Sequence, residues 1–299
     1  MTTTMTTRAA LLLLLLSATA GAQQRVKVFI SVDMEGIAGV VTNEQLGPPG
    51  FEYQRFRELM TAEALAAVEG ARAAGATDVV IADSHGNMQN LLIERLPEDV
   101  VVVRGPVRPL GMMQGIDSTF HAVVFVGYHS ATTNLRGVRA HTFASARYTS
   151  VELNGSPMAE SSFNAALAGH FGVPVVAISG DEAAVGELLA LVPGAASAVV
   201  KQSVGFHAAA SRTPAAAQVM IREAVRAGVA RRGEIRPYRL QAPYRLDLGF
   251  KSYRAPEVLA YLPIVQRTTA HTIRYVAGSM PEVARFLSFL GAYSPEIDP

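Results

Sequence analysis

Ile30-Ser31-Val32-Asp33-Met34-Glu35-Gly36 runs from apolar, partly β-branched residues straight into two acids and a glycine. Residues 26–32 alternate loosely, the pattern of a buried strand, so Asp33 and Glu35 stand at its carboxyl end. Two later segments have the same form. Ala82-Asp83-Ser84-His85 closes a strand expected over 78–82, and Gly127-Tyr128-His129 closes one expected over 122–126. In an open α/β sheet the carboxyl ends of the strands converge on one crevice, where ligands bind. Carboxylates and imidazoles meeting there make a site for a divalent metal.

The rest of the chain supports such a sheet. Residues 53–74 carry apolar side chains at helical spacing and end at Gly75, a helix stop. A third strand is expected at 100–103, and a short helix at 109–114. Residues 139–153 alternate and lead into Asn154-Gly155, a hairpin turn signal. Helices are expected at 160–170, 182–191 and 214–229, with strands at 175–178 and 198–201. A Pro-punctuated strand region (238–250), a short helix near 256–261, strands around 264–276 and a last helix from Pro281 follow. Strands alternating with helices imply right-handed crossovers and a parallel sheet. The fold class is therefore α/β: a mostly parallel three-layer sheet domain carrying the site, with a second, smaller α+β domain. The expected units are a signal peptide at 1–22, the metal-binding domain at 23–204 and the smaller domain at 205–299.

Of the 299 residues, 49% are hydrophobic and 17% charged, and the formal net charge is +1. That balance suits a folded domain and points to no nucleic acid or polyanion as partner. Arg231-Arg232 with Arg236 and Arg239 has no binding module around it and reads as a solvated face. There is no cysteine, hence no disulfide, thiolate ligand or cysteine nucleophile. Arg8, the apolar run through Leu16 and the small residues ending Ala20-Gly21-Ala22 have the order of a secretory signal peptide. Cleavage is expected after Ala22, with no membrane association afterwards and a periplasmic or secreted location. The alternative is an uncleaved anchor, although the run is shorter than the roughly 20 apolar residues that span a bilayer.

Each site residue has a plainer alternative. Asp33 and Glu35, two apart, share one strand face about 6.6 Å apart along the chain; they could equally be solvated acids in a strand-end turn. His85 has Asp83 nearby to fix its tautomer as a metal ligand, or lies in a polar loop. His129 follows its strand directly and stands at the crevice rim, as a ligand or as a satisfied rim histidine. Glu160 opens a helix, where the macrodipole favours a carboxylate anyway. His141, on the alternating segment, is an exposed strand histidine or an acid–base group facing the metals. His121, His170, His207 and His271 lack acidic neighbours and read as surface or packing residues. Metalloprotease H-E-x-x-H, G-x-S-x-G, phosphate-loop and dinucleotide signatures are all absent.

On these residues the chain resembles the zinc-dependent D-aminopeptidases of the bacterial dipeptide-transport operon type. The matching stretches are Ser31 to Gly36, Asp83-Ser84-His85, Gly127-Tyr128-His129, Gly137 through His141, and Glu160 with Asn164-Ala165. Val173-Pro174-Val175, Ser179-Gly180-Asp181 and Val200-Lys201-Gln202 continue the match. The resemblance implies two zinc ions per chain, with Asp33 bridging and Glu35, His85, His129 and Glu160 completing the ligands. It implies that His141 is the catalytic histidine, that the metals lie in the α/β domain, and that copies of the chain assemble as a ring, a decamer. The sequence departs from the family pattern at Ala159, Ser161 and Ser162 around the glutamate, and at Phe206-His207, where relatives tend to have an arginine.

The expected function is hydrolysis of short D-amino-acid peptides such as D-Ala-D-Ala by metal-activated water. A dinuclear hydrolase of another amide or of a phosphoester is an alternative; phosphoester ranks lower because no arginine or lysine adjoins the three strand-end motifs. A periplasmic protein that binds peptides without cleaving them is another.

Overall fold

The computed structural model describes residues 25–293, so the expected signal peptide lies outside the described residues. The chain begins β1 (Lys27–Val32), α1 (Tyr53–Ala73), β2 (Asp78–Asp83), β3 (Val101–Val103) and β4 (Ala122–Tyr128). Next come β5 (Tyr148–Leu153), β6 (Ser156–Pro157), α2 (Glu160–His170), β7 (Val175–Asp181) and α3 (Glu182–Leu191). β8 (Ala196–Gly205), β9 (Ala208–Ser211) and α4 (Pro214–Ala230) follow. The chain closes with β10 (Tyr244–Phe250), α5 (Arg254–Leu259), β11 (Val265–Arg267), β12 (Thr272–Ala277) and α6 (Met280–Ala292).

Seven strands form one sheet in the order β3-β2-β1-β4-β7-β8-β9, parallel except for the β8–β9 hairpin. From β1 the chain moves to β2 and β3 on one side, then returns to β4 and β7 on the other. The winding therefore reverses between β1 and β4, which is where doubly wound sheets open a crevice. All seven residues of β4 and of β7 are buried, because helices cover both faces of these central strands. α1 presents Phe56, Met60, Ala64, Ala67 and Ala71 inward and packs on α4. Their contact is close at Gly70, where an added Cβ would stand 2.3 Å from the Arg222 carbonyl oxygen. The opposite winding beyond the switch carries α3 to the other face.

Five strands form a second, antiparallel sheet, β11-β12-β10-β5-β6, backed by α6. Its strands come from both sides of residue 205. β5 and β6, well before residue 205, supply two of its strands, while α4, after 205, packs on the first sheet. The 204/205 boundary falls inside the β8–β9 pairing. The β5–β10 ladder, Leu153 opposite Leu246, joins segments far apart in sequence, and no composition shift marks it. The alternation over 139–153 becomes a strand only from Tyr148; residues 131–147 are a loop tied down elsewhere. Among the described residues, no helix is long and apolar enough to cross a membrane.

Candidate metal centre

β1 ends at Val32, and Asp33 and Glu35 lie in the turn beyond it rather than on one strand face as expected. Asp33 N–H still donates to the Val126 carbonyl (2.8 Å), Ile37 N–H to Met34 (3.1 Å) and Gly36 N–H to Gly127 (2.7 Å). The turn thus lies flat against the end of β4. Gly36 permits this: a Cβ there would sit 2.0 Å from the Tyr128 carbonyl oxygen. From below, the buried Lys201 of β8 donates to the carbonyls of Glu35, Ile37 (3.2 Å) and Val40 (2.7 Å). Burial pushes the Lys201 ammonium down to about 8.

The turn brings Asp33, Glu35, His85, His129 and Glu160 together in the buried interior, with half-buried His141 above them. His85 Nδ1 is 2.8 Å from Glu35 Oε2 and 3.3 Å from Asp33 Oδ1. His129 Nε2 is 3.3 Å from Asp33 Oδ2 and 3.4 Å from Glu160 Oε2. Asp33 therefore stands between the two imidazoles, one carboxylate oxygen toward each. His141 Nε2 lies 3.9 Å from Glu35 Oε1 and 3.8 Å from Glu160 Oε1, and its ring stacks on His129 with centroids 4.0 Å apart.

The outer nitrogen of every imidazole meets a main-chain carbonyl. His85 Nε2 donates to Leu46 (2.7 Å), His129 Nδ1 to Ser130 (3.1 Å) and His141 Nδ1 to Arg139 (2.8 Å). A carbonyl only accepts, so each ring keeps a proton on its outer nitrogen, and the inner nitrogen facing the carboxylates either carries a second proton or turns a lone pair to a metal. This corrects the role expected of Asp83. That carboxylate accepts from Asn90 N–H (2.6 Å), Asn90 Nδ2 (2.8 Å) and Leu91 N–H (2.7 Å), and orders the loop after β2 instead. Leu46 holds His85, and it comes from a loop whose nearness no local spacing announces.

Electrostatics set these groups in opposition. Burial pushes the Asp33 carboxyl up, and the Glu35 charge adds to it. Burial also resists ionising Glu35 and Glu160, but the imidazoles of His85 and His129 hold Glu35 well below the usual range and Glu160 below it. Conversely, burial opposes charge on His85 and His129, yet Glu35 and Asp33 raise the first and Glu160 and Asp33 raise the second. Three carboxylates enclosed this way call for positive charge at their centre.

The donor set fits a metal. Asp33 Oδ2 and His129 Nε2 are buried without a hydrogen-bond partner. Donor atoms of Asp33, Glu35 and His129 lie within 4.8 Å of one another, as do those of His129, His141 and Glu160. Carboxylate oxygens with imidazole nitrogens, and no sulfur, suit zinc or another borderline divalent ion. Every candidate ligand and His141 meet at the winding reversal. His121 serves packing, its Nδ1 accepting from Lys27 N–H at 3.1 Å. Two residues absent from the expected site also border it: Lys201 beneath the turn, and Arg139, whose N–H donates to the Phe206 carbonyl (3.0 Å).

A family model described as D-aminopeptidase matches residues 26–289. A curated D-aminopeptidase of Bacillus subtilis (strain 168) is 32% identical over 261 residues, 86% of this chain and 93% of that one. A solved structure from Bacillus subtilis, described as a zinc-dependent D-aminopeptidase and self-compartmentalizing protease, superposes with a TM-score of 0.85 at 29% identity. The match covers 91% of this chain and 100% of that one.

Proposed function

The chain belongs to the D-aminopeptidase family, and from that premise we propose a dinuclear zinc enzyme that removes the amino-terminal residue of short D-amino-acid peptides such as D-Ala-D-Ala. The position of Asp33 carries the dinuclear assignment. Its Oδ1 faces His85 and its Oδ2 faces His129, so one carboxylate serves two ligand groups. Glu35 and His85 complete one group, and His129 and Glu160 the other. When bound, the zinc ions lower the pKa of water and polarise the scissile carbonyl as Lewis acids.

The side chains supply the rest. His141 keeps its Nδ1 proton on the Arg139 carbonyl, leaving Nε2 to take a proton and hand it to the departing amine. Enclosure by β1, β4 and the loop over 131–147 keeps bulk water away and strengthens these interactions.

The test is the metal content of purified chain together with turnover of D-Ala-D-Ala and L-Ala-L-Ala. Two zinc per chain and cleavage of the D-peptide are expected. One zinc per chain would refute the dinuclear assignment, and full zinc without cleavage of either peptide would refute the substrate. We also propose export through the segment ending at Ala22, and a homo-oligomeric ring of ten chains. The similarity to a self-compartmentalizing protease supports the ring. Fractionation of cells, with Gln23 as the first residue of the mature chain, tests the export.

A further inference from the structure

We infer that Arg139 anchors the carboxylate at the far end of the substrate, which makes this a site for short peptides with a free C-terminus. The inference rests on the aminopeptidase reading and adds the second end of the substrate to it.

Three observations carry it. First, Arg139 is fixed beside His141 through its backbone. Its carbonyl accepts from His141 Nδ1 and its N–H donates to Phe206 at the tip of the β8–β9 hairpin. Its φ of +57° is a conformation side chains rarely adopt, held here by those two bonds. Second, its guanidinium reaches the loop that holds His85. Nη2 donates to Asn43 Oδ1, three residues before the Leu46 carbonyl that holds His85, and the group sits 4.8 Å from the Phe206 ring centroid. Third, the guanidinium is underused. Nε is buried without a partner, and the nearby acids whose charge it feels, Glu35 and Glu44, form no ion pair with it. Glu35 itself is turned toward His85 and His141. A half-buried guanidinium that forms no ion pair suits an incoming carboxylate, which it can meet with its remaining N–H donors.

With the scissile bond beside His141, the substrate's carboxylate end lies toward Arg139, whose carbonyl holds His141 Nδ1. Lys201, the other nearby cation, is buried beneath the turn and directed at three carbonyls, so it cannot serve.

The experiment is calorimetric binding to the zinc-loaded full chain. The ligands are two reduced-bond analogues of D-Ala-D-Ala, with –CH2–NH– in place of the peptide link, one ending in carboxylate and one in carboxamide. The intact chain is expected to prefer the carboxylate by about 10- to 100-fold, the range of a charge-assisted contact. In Arg139→Gln the ratio is expected to fall to near one, and in Arg139→Lys to recover partly. Equal affinity of the intact chain for both analogues overturns the inference, whether or not the variants fold. An unchanged ratio in a zinc-retaining Arg139→Gln overturns it as well. Turnover answers the other question: a chain that prefers the carboxylate through Arg139 but cleaves no peptide upholds this inference and rejects the aminopeptidase reading.

Discussion

Fixing the outer nitrogen of an imidazole on a main-chain carbonyl decides what its inner nitrogen can do. His85, His129 and His141 all have this arrangement, so the difference between ligand and proton carrier lies in distance: His129 is within 3.4 Å of two carboxylates, and His141 is 3.8 Å or more from any. His141→Ala is therefore expected to cut turnover by about 10²- to 10⁴-fold while zinc content stays at the wild-type level. Loss of one zinc in that variant would make His141 a ligand instead. A second residue-scale prediction concerns Glu63 of α1, which accepts from Ala38 N–H (2.9 Å) and leaves Oε2 buried without a partner. Burial raises its carboxyl to about 7. In the fold it stays protonated up to that pH, whereas in the unfolded chain it ionises near its ordinary value. Its contribution is therefore complete below about pH 4.5 and is lost as pH rises toward 7, by up to about 3 kcal/mol. Glu63→Gln is expected to flatten that part of the stability-versus-pH curve; denaturant titrations at pH 5 and pH 8 that show the same slope for both proteins would contradict it.

The close approach of the β1 and β4 ends depends on the missing side chain of Gly36. Gly36→Ala drives a Cβ into the Tyr128 carbonyl at 2.0 Å, and backbone cannot swing aside as a flexible side chain can. Loss of zinc and a lowered melting temperature are expected together, by several kcal/mol in stability; a variant that melts normally and holds full zinc would show that the turn has room. At this scale the sequence was readable where the chemistry is local. Buried strands, helix α2 from Glu160 and the Asn154-Gly155 turn each announce themselves within a few residues, and Asn154 and Gly155 do adopt φ of 55° and 82°. The convergence of Asp33, Glu35, His85 and His129 followed from three strand ends at one sheet edge. Glu160 and His141 carried no such mark and were found by resemblance. Leu46, Lys201 and Arg139 reach the site from distant loops or strands, and the pairing of β5 with β10 is non-local, so no window of sequence holds either.

For the whole molecule, one prediction is assembly. Around α5 and β11, Tyr261 (77%), Ile264 (63%) and Val258 (49%) are exposed, an apolar cluster a second copy of the chain would cover. Light scattering is expected to return the mass of ten chains, and Ile264→Asp to lower it; a monomeric wild-type protein would contradict the ring. The second concerns Lys201, an ammonium that no chelator can extract. Its three bonds to the carbonyls of Glu35, Ile37 and Val40 hold the turn from within, and the large interior of the sheet is built of apolar side chains that bind no metal. Small zinc domains unfold when stripped of their ion. Here demetallation is expected to be a round trip: after dialysis against chelator the near-ultraviolet dichroism persists, and added zinc restores activity without a refolding lag. In the cell, such a chain can be made and folded empty, and take its metal afterwards.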